Sequence, residues 1–213
     1  MPEPRDYLAT IFNIDDHSLR RMPVPSEQLA EFRRKAFKGD LRRVYPGLDN
    51  LILDKWDDVA DHALCMKGNR IVGASRVVPA MGGLLPLSAN IKFAGLALPN
   101  GASEMGRFII EYEARVGAPA VALFSACIAI YRRNLSKYRG TIYGDVIDEG
   151  RFRLHRRSYL RMGFDDLGIA YYDQDYAARC RVYSMKAENR QKFYQFIDCL
   201  QNHRRVVSLR DTG

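Results

Sequence analysis

No stretch of this 213-residue chain approaches the roughly 18 consecutive apolar residues that a membrane-crossing helix needs. Cysteine is sparse. Cys65, Cys127, Cys180 and Cys199 lie far apart, form no CxxC pair and sit among apolar or mixed neighbours, which predicts buried free thiols. The four histidines (His17, His62, His155 and His203) have no metal-ligand spacing, so no metal is expected. The patterns GxxxxGK(S/T), GxGxxG after a strand, GxSxG and HExxH are all missing. Nucleotide hydrolysis, dinucleotide binding, serine hydrolysis and zinc proteolysis thereby lose their usual sequence warrants. The first twenty residues place Asp6, Asp15 and Asp16 among apolar residues, unlike a signal peptide, so a cytoplasmic location is expected. There is no internal repeat and no low-complexity segment.

What is present is an ordinary globular composition, 47% hydrophobic and 27% charged, with an excess of positive charge. Lys and Arg number 33 against 25 Asp and Glu, giving +8. The excess concentrates between Arg132 and Arg161, where nine basic residues face three acidic ones. Such a patch suits an anionic partner: nucleic acid, a phosphorylated cofactor or an acidic protein.

Residues 1–25, with Pro2, Pro4, Pro23 and Pro25, read as an N-terminal arm, and residues 26–213 as a single domain. Ser26 is a good N-cap for a helix to about Phe37, with Leu29, Phe32, Ala36 and Phe37 on one face. An irregular segment follows to about Leu51. The runs Ala63–Lys67 and Arg70–Pro79 predict a hairpin turned at Gly68-Asn69. A Gly/Pro-rich connection spans Met81–Ser103, and Met105–Tyr112 is a further strand. Next come a helix over Ala118–Tyr138, a strand over Thr141–Ile147 and an Arg-rich amphipathic helix over Arg151–Met162, closed by Gly163. Short strands at Ala170–Tyr172 and Arg181–Met185 and a helix over Lys186–Arg204 complete a mixed α/β (α+β) plan.

The chemistry-bearing residues fall into four groups. Arg33-x3-Phe37 shares a helix face. Asp54-Lys55-Trp56-Asp57 brackets an aromatic between acids, the second hairpin strand carries Arg76, and Glu104-Met-Gly106-Arg107-Phe108 opens the next strand. In order these read R-x3-F, D-x-aromatic-D, a strand arginine and E-x-x-R-F. The series resembles the acyl-homoserine-lactone synthases, bacterial autoinducer synthases on the GNAT acyltransferase fold, over about Phe32 to Phe164. Tyr159-Leu-Arg-Met-Gly163-Phe164 is similar to the Y-x-x-x-G-F signature of GNAT acetyltransferases. The N-acyl amino acid synthases lie in the same neighbourhood.

The resemblance implies a three-layer fold, a mixed and mostly antiparallel sheet flanked by helices. It also implies an amide-forming acyl transfer with no tightly bound cofactor. Glu104 would be the general base for the acceptor amine, since an ammonium must lose a proton before it attacks a thioester. Tyr159 would protonate the departing thiolate. Arg33, Asp54, Asp57, Arg76 and Arg107 would build the acceptor pocket, with Phe37 and Trp56 as its aromatic walls and Phe108 a further substrate-binding candidate. Separately, the Met81–Ser103 connection with Phe93 is expected to line the acyl tunnel. Two positions depart from the family pattern: Arg43 stands where the family has Trp, and Gly106 where it has Ser. The departures open the acceptor question between S-adenosylmethionine and an amino acid. Arg115-Val-Gly-Ala118-Pro-Ala120 lacks the glycine of the coenzyme A cradle at Ala118. That favours acyl carrier protein over coenzyme A as the carrier of the acyl group, docked on Arg132, Arg133, Lys137, Arg153, Arg156 and Arg157. Two other readings stay open: an acetyltransferase using acetyl-coenzyme A, and a non-enzymatic nucleic-acid binder using the same basic run.

Overall fold

Arg70–Pro79 (β2) alternates no polar face. Eight of its ten residues are buried, as in a strand covered on both sides. In the computed structural model, which describes residues 26–39, 45–67, 70–114, 118–133, 135–149, 153–196 and 198–199, β2 is the second strand of six. The others are β1 (Asp61–Lys67), β3 (Ser103–Ile110), β4 (Ile142–Ile147), β5 (Asp165–Asp173) and β6 (Ala178–Met185), in the order β1-β2-β3-β4-β6-β5. Every neighbouring pair is antiparallel except β3–β4.

Two irregularities in β3 shape the molecule. Ala74 faces Ile109 while Arg76 faces Gly106, so the β3 side has one extra residue. This is a bulge, and Arg107 takes φ 52° there. On its other edge, β3 pairs with β4 at Ser103↔Ile142 and Glu104↔Tyr143 and then stops. Beyond Glu104 the two parallel strands diverge.

Helices cover both faces of the sheet. α4 (Ala118–Arg133), α5 (Arg153–Arg161) and a helix over 190–196 pack on one face, around Cys127, Tyr131, Tyr159, Met162 and Phe193. On the other face α1 (Ser26–Lys38) and α2 (Leu48–Ile52) bury Leu29, Phe32, Phe37 and Leu51 against Ala74 and Ile109. Beside them the segment with α3 (Ser88–Phe93) buries Leu85, Leu87 and Ile91 against Tyr143 and Val182. The result is the expected three-layer, mostly antiparallel α+β architecture. No helix among the described residues is long and apolar enough to cross a membrane.

Several boundaries differ from the sequence expectation, each for a physical reason. α4 ends at Arg133 rather than Tyr138, whose hydroxyl donates to Asp61 on β1 and to the Val77 carbonyl on β2. β5 begins at Asp165, five residues early, because a register shift between Asp166 and Ala170, with Gly168 at φ 71°, absorbs the break in alternation. α2 and α3 are too short to show a helical period. Cys65, Cys127 and Cys180 are buried, but Cys199 is exposed, contrary to the expectation of four buried thiols. The expected N-terminal arm, the Gly68-Asn69 turn, Arg43, residues 115–117 and residues 200–213 lie outside the described residues.

Candidate functional site

Three arginines and two aspartates, distant in sequence, meet on the sheet face covered by α1–α3. Arg33, fully buried on α1, donates to the Ile52 carbonyl at 2.8 Å and to both carboxylate oxygens of Asp57 at 3.0 Å. Arg76 on β2 forks onto Asp54 at 2.7 and 2.9 Å and also pairs with Asp57 at 3.0 Å. Arg107 reaches Asp54 and the Asn50 carbonyl, each at 3.0 Å. The 54–57 turn closes on itself. The Asp54 N–H donates to Asp57 at 2.9 Å, and the Trp56 N–H donates to Asp54 at 2.9 Å. Burial alone would raise the Asp54 carboxyl, but the Arg76 fork and the Arg107 charge hold it down at about 2. Burial also opposes ionisation of Asp57, and Arg33 and Arg76 again keep its value low. His62 is held low by burial and by the Arg33 charge. Arg107 Nη1 is buried and has no hydrogen-bond partner among the described residues.

Glu104 sits where β3 and β4 part. It is 5% exposed, and one carboxylate oxygen accepts the Leu87 N–H at 2.9 Å. Burial, and then the charge of Asp145, push its carboxyl up to about 8, in the range useful for a base working near neutral pH. Gly106 keeps the space beside it open, since a Cβ there would lie 3.1 Å from Glu104 Oε1. Tyr159 approaches the same divergence from the opposite sheet face. Its hydroxyl would lie 3.0 Å from a Cβ at Gly144, whose nearest neighbours also include the Met105 carbonyl. Tyr159 is buried, and burial followed by the Asp145 charge holds its hydroxyl protonated.

An aromatic wall flanks Arg107. Tyr176, in the β5–β6 turn, lies 5.9 Å from the Arg107 guanidinium and 6.3 Å from the rings of Phe37 and Tyr45. The turn is clamped to α2 by Gly47 N–H to Asp175 O at 3.3 Å and Asn50 to Asp175 at 3.1 Å. A Cβ at Gly47 would come within 2.6 Å of the Asp175 Cα. Gly47→Ala is therefore expected to spring the clamp and destabilise the fold by about 1–3 kcal/mol, read as a lower urea midpoint.

The structure thus brings together Arg33, Asp54, Asp57, Arg76, Glu104 and Arg107, with Phe37 at the edge. Trp56 is partly exposed under Lys55, 5.3 Å from the ammonium. Phe108 points to the α4 side and stacks on Phe124 at 4.5 Å. Phe93 is 93% exposed at the end of α3, apart from this cluster. Of the expected docking residues, Arg132 lies over the Tyr194 ring at 4.4 Å and pairs with Asp198 at 3.7 Å. Lys137 pairs with Asp61 at 2.6 Å, and Arg156 with Asp148 and Asp166 at 3.8 and 3.5 Å. Arg157 is exposed on α5, and the side chains of Arg133 and Arg153 lie outside the described residues. Sequence reasoning missed Asp145, Tyr171, Asp173 and Tyr176. They come from β4 and the β5–β6 hairpin, far from the motif-bearing segments, and no local pattern marks them.

A bulged strand that diverges from a parallel neighbour in a helix-flanked sheet is the arrangement of the GNAT acyltransferase fold, and solved structures agree. The acyl-homoserine-lactone synthase LasI superposes with TM-score 0.58 at 15% identity, covering 82% of this chain and 91% of its own. FeeM, an N-acyl amino acid synthase from uncultured soil microbes, gives 0.57 at 12%, covering 80% and 96%. BjaI, a coenzyme A-dependent acyl-homoserine-lactone synthase solved with S-adenosylmethionine and isopentyl-coenzyme A, gives 0.57 at 16%, covering 91% and 87%. At these identities the likeness is one of fold. No protein-family profile matches the chain, and no curated protein does.

Proposed function

We propose that this protein is an N-acyltransferase that moves a fatty-acyl group from a thioester to the amine of an amino-acid-like acceptor. The product would be an N-acyl amino acid or, with S-adenosylmethionine as acceptor, an acyl-homoserine lactone, formed when the acylated acceptor's carboxylate oxygen attacks its Cγ and the C–S bond to methylthioadenosine breaks. The observation that carries this reading is Glu104, a buried carboxyl raised to about 8 at the divergence of β3 and β4, next to the Arg–Asp cluster.

In this reading the acceptor's carboxylate takes the open Nη1 of Arg107, a charge-assisted contact that the Asp54-anchored guanidinium is held to make. Glu104 removes a proton from the acceptor ammonium. The freed nitrogen lone pair attacks the thioester carbon, a C–N bond forms, and the oxyanion faces the β3 edge that β4 no longer pairs. When the thioester C–S bond breaks, Tyr159 gives its proton to the thiolate from the opposite sheet face, and the second proton of the attacking nitrogen leaves through water to restore the tyrosine, so that the amide is neutral. The Arg33–Asp57 and Arg76–Asp54 pairs touch neither reacting atom; they fix the acceptor side of the site. Acyl carrier protein is the favoured donor, docking on the basic surface of α4 and α5, where Arg157 stands exposed. A second reading, acetyl transfer from acetyl-coenzyme A, uses the same Glu104 and Tyr159 and differs in the donor.

Mass spectrometry of organic extracts from bacteria expressing the chain tests this. Acyl-homoserine lactones or N-acyl amino acids are expected, and their absence beside a Glu104→Gln control would leave the acetyl reading. Lactones would assign S-adenosylmethionine as acceptor despite Gly106. Acylated amino acids would mean that the acceptor has changed.

A further inference from the structure

The residues of β4 divide cleanly between the two sheet faces. A Cβ on Gly144 would meet Tyr159 on the α5 side. Its neighbour Tyr143 is buried with Leu85 and Leu87, whose N–H binds Glu104, so Tyr143 lies on the Glu104 face. By strand alternation Asp145 lies on that face too, one pleat further along the diverging gap from Glu104. Across from it Gly106 contributes no side chain. Asp145 is held in place by the Tyr171 hydroxyl of β5, which donates to it at 2.5 Å. The floor of the site therefore carries opposite polarities, with the Arg76–Arg107 end positive and the Asp145 end negative.

We infer that Asp145, oriented by Tyr171, receives the acceptor's ammonium group beside Glu104 and so selects acceptors that carry a free, positively charged amine. This rests on the acyltransferase reading above. While the site is empty, the Asp145 charge opposes ionisation of Glu104. An ammonium seated between the two carboxyls favours the Glu104 carboxylate, which then takes one ammonium proton and leaves the amine neutral for attack. The groups facing this region are Tyr171 and Asp173 from β5, Cys180 from β6, Glu104 and Arg107 from β3, Tyr159 from α5 and Tyr176 from the β5–β6 turn. Burial raises both the Asp173 carboxyl and the Tyr176 hydroxyl.

The test uses the full-length wild-type, Asp145→Asn and Asp145→Glu proteins. The donors are octanoyl-acyl carrier protein and octanoyl-coenzyme A, and the acceptors are S-adenosylmethionine and the free L-amino acids. For the acceptor that wild type uses, Asp145→Asn is expected to raise its KM about tenfold or more while the donor KM stays unchanged. The acidic limb of kcat/KM should move to lower pH, because one negative charge beside Glu104 is gone. Asp145→Glu should keep that limb near its wild-type position. A purely structural role would move neither the limb nor the acceptor KM selectively, and an unchanged acceptor KM or an unmoved limb overturns the inference. If Asp145→Asn does not fold, inhibition of wild type by the acceptor's desamino analogue decides. Binding weaker by about tenfold or more supports the inference, and equal binding overturns it. If wild type acylates none of these amines, the acyltransferase reading itself fails and this inference falls with it.

Discussion

Glu104→Gln is expected to lower kcat by about 100- to 10,000-fold, the usual span for loss of a positioned general base, while the protein stays folded. The amide keeps the shape and can still accept the Leu87 N–H, so the site's geometry persists. Stability supplies a second signature. A carboxyl raised from 4.5 to about 8 in the folded chain holds its proton where the unfolded chain has lost it. The wild type therefore loses stability as pH rises between those two values, by on the order of a few kcal/mol in total. Gln has no proton to lose, so the variant should lack the Glu104 share of the wild-type decline over that window and keep only the titration of other groups such as His62. Denaturation at pH 5, 7 and 9 measures this. Parallel pH curves for the two proteins would show that Glu104 is not the raised group, whatever the activity.

Arg76→Ala is expected to cost about 3–5 kcal/mol, the penalty for leaving buried charge uncompensated. The Arg76 side chain is 2% exposed and contacts both Asp54 and Asp57, whose carboxylates would keep Arg33 and Arg107 as their arginine partners. Arg157→Ala, on the exposed face of α5, should shift stability by no more than about 0.5 kcal/mol. The pair also predicts an acid limb. Asp54 is depressed from 3.8 to about 2, so its contribution is complete above the unfolded value and is lost as pH falls from about 4 towards 2. Arg76→Ala should flatten that limb, and urea midpoints between pH 2.5 and 6 would show it. A loss no larger than that of Arg157→Ala would mean that water reaches the cluster and screens it.

The buried arginine cluster also bears on the nucleic-acid alternative. The arginines that the sequence motifs single out, Arg33, Arg76 and Arg107, are turned inward onto aspartates and are not offered to phosphates. Within the basic run, Arg132, Lys137 and Arg156 have acidic partners in the same chain. A sequence tally counts the charges but not the neutralisation, which depends on which acids fold back beside them.

Elements whose signals are local can be read without coordinates. β2 is read at its exact ends, because the β-branched pairs Ile71-Val72 and Val77-Val78 lie between the Gly68-Asn69 turn signal and Pro79, and α1 follows from its apolar face, although Ser26 is its first helical residue and not the residue before it. The resemblance of the series from Arg33 to Arg107 to the acyl-homoserine-lactone synthases likewise named the acid–base cluster, because motif residues on predicted elements are visible without coordinates. The cluster's surroundings, by contrast, come from packing between distant segments. Glu104 is an ordinary carboxylate until α3's segment buries it and Leu87 caps it. Asp145, Tyr171 and Tyr176 join it only because β4 and the β5–β6 hairpin, some forty to seventy residues further along the chain, are folded onto the same face. Burial and long-range Coulomb terms depend on what is near in space, and nearness in space across a sheet is not written in any local pattern of residues.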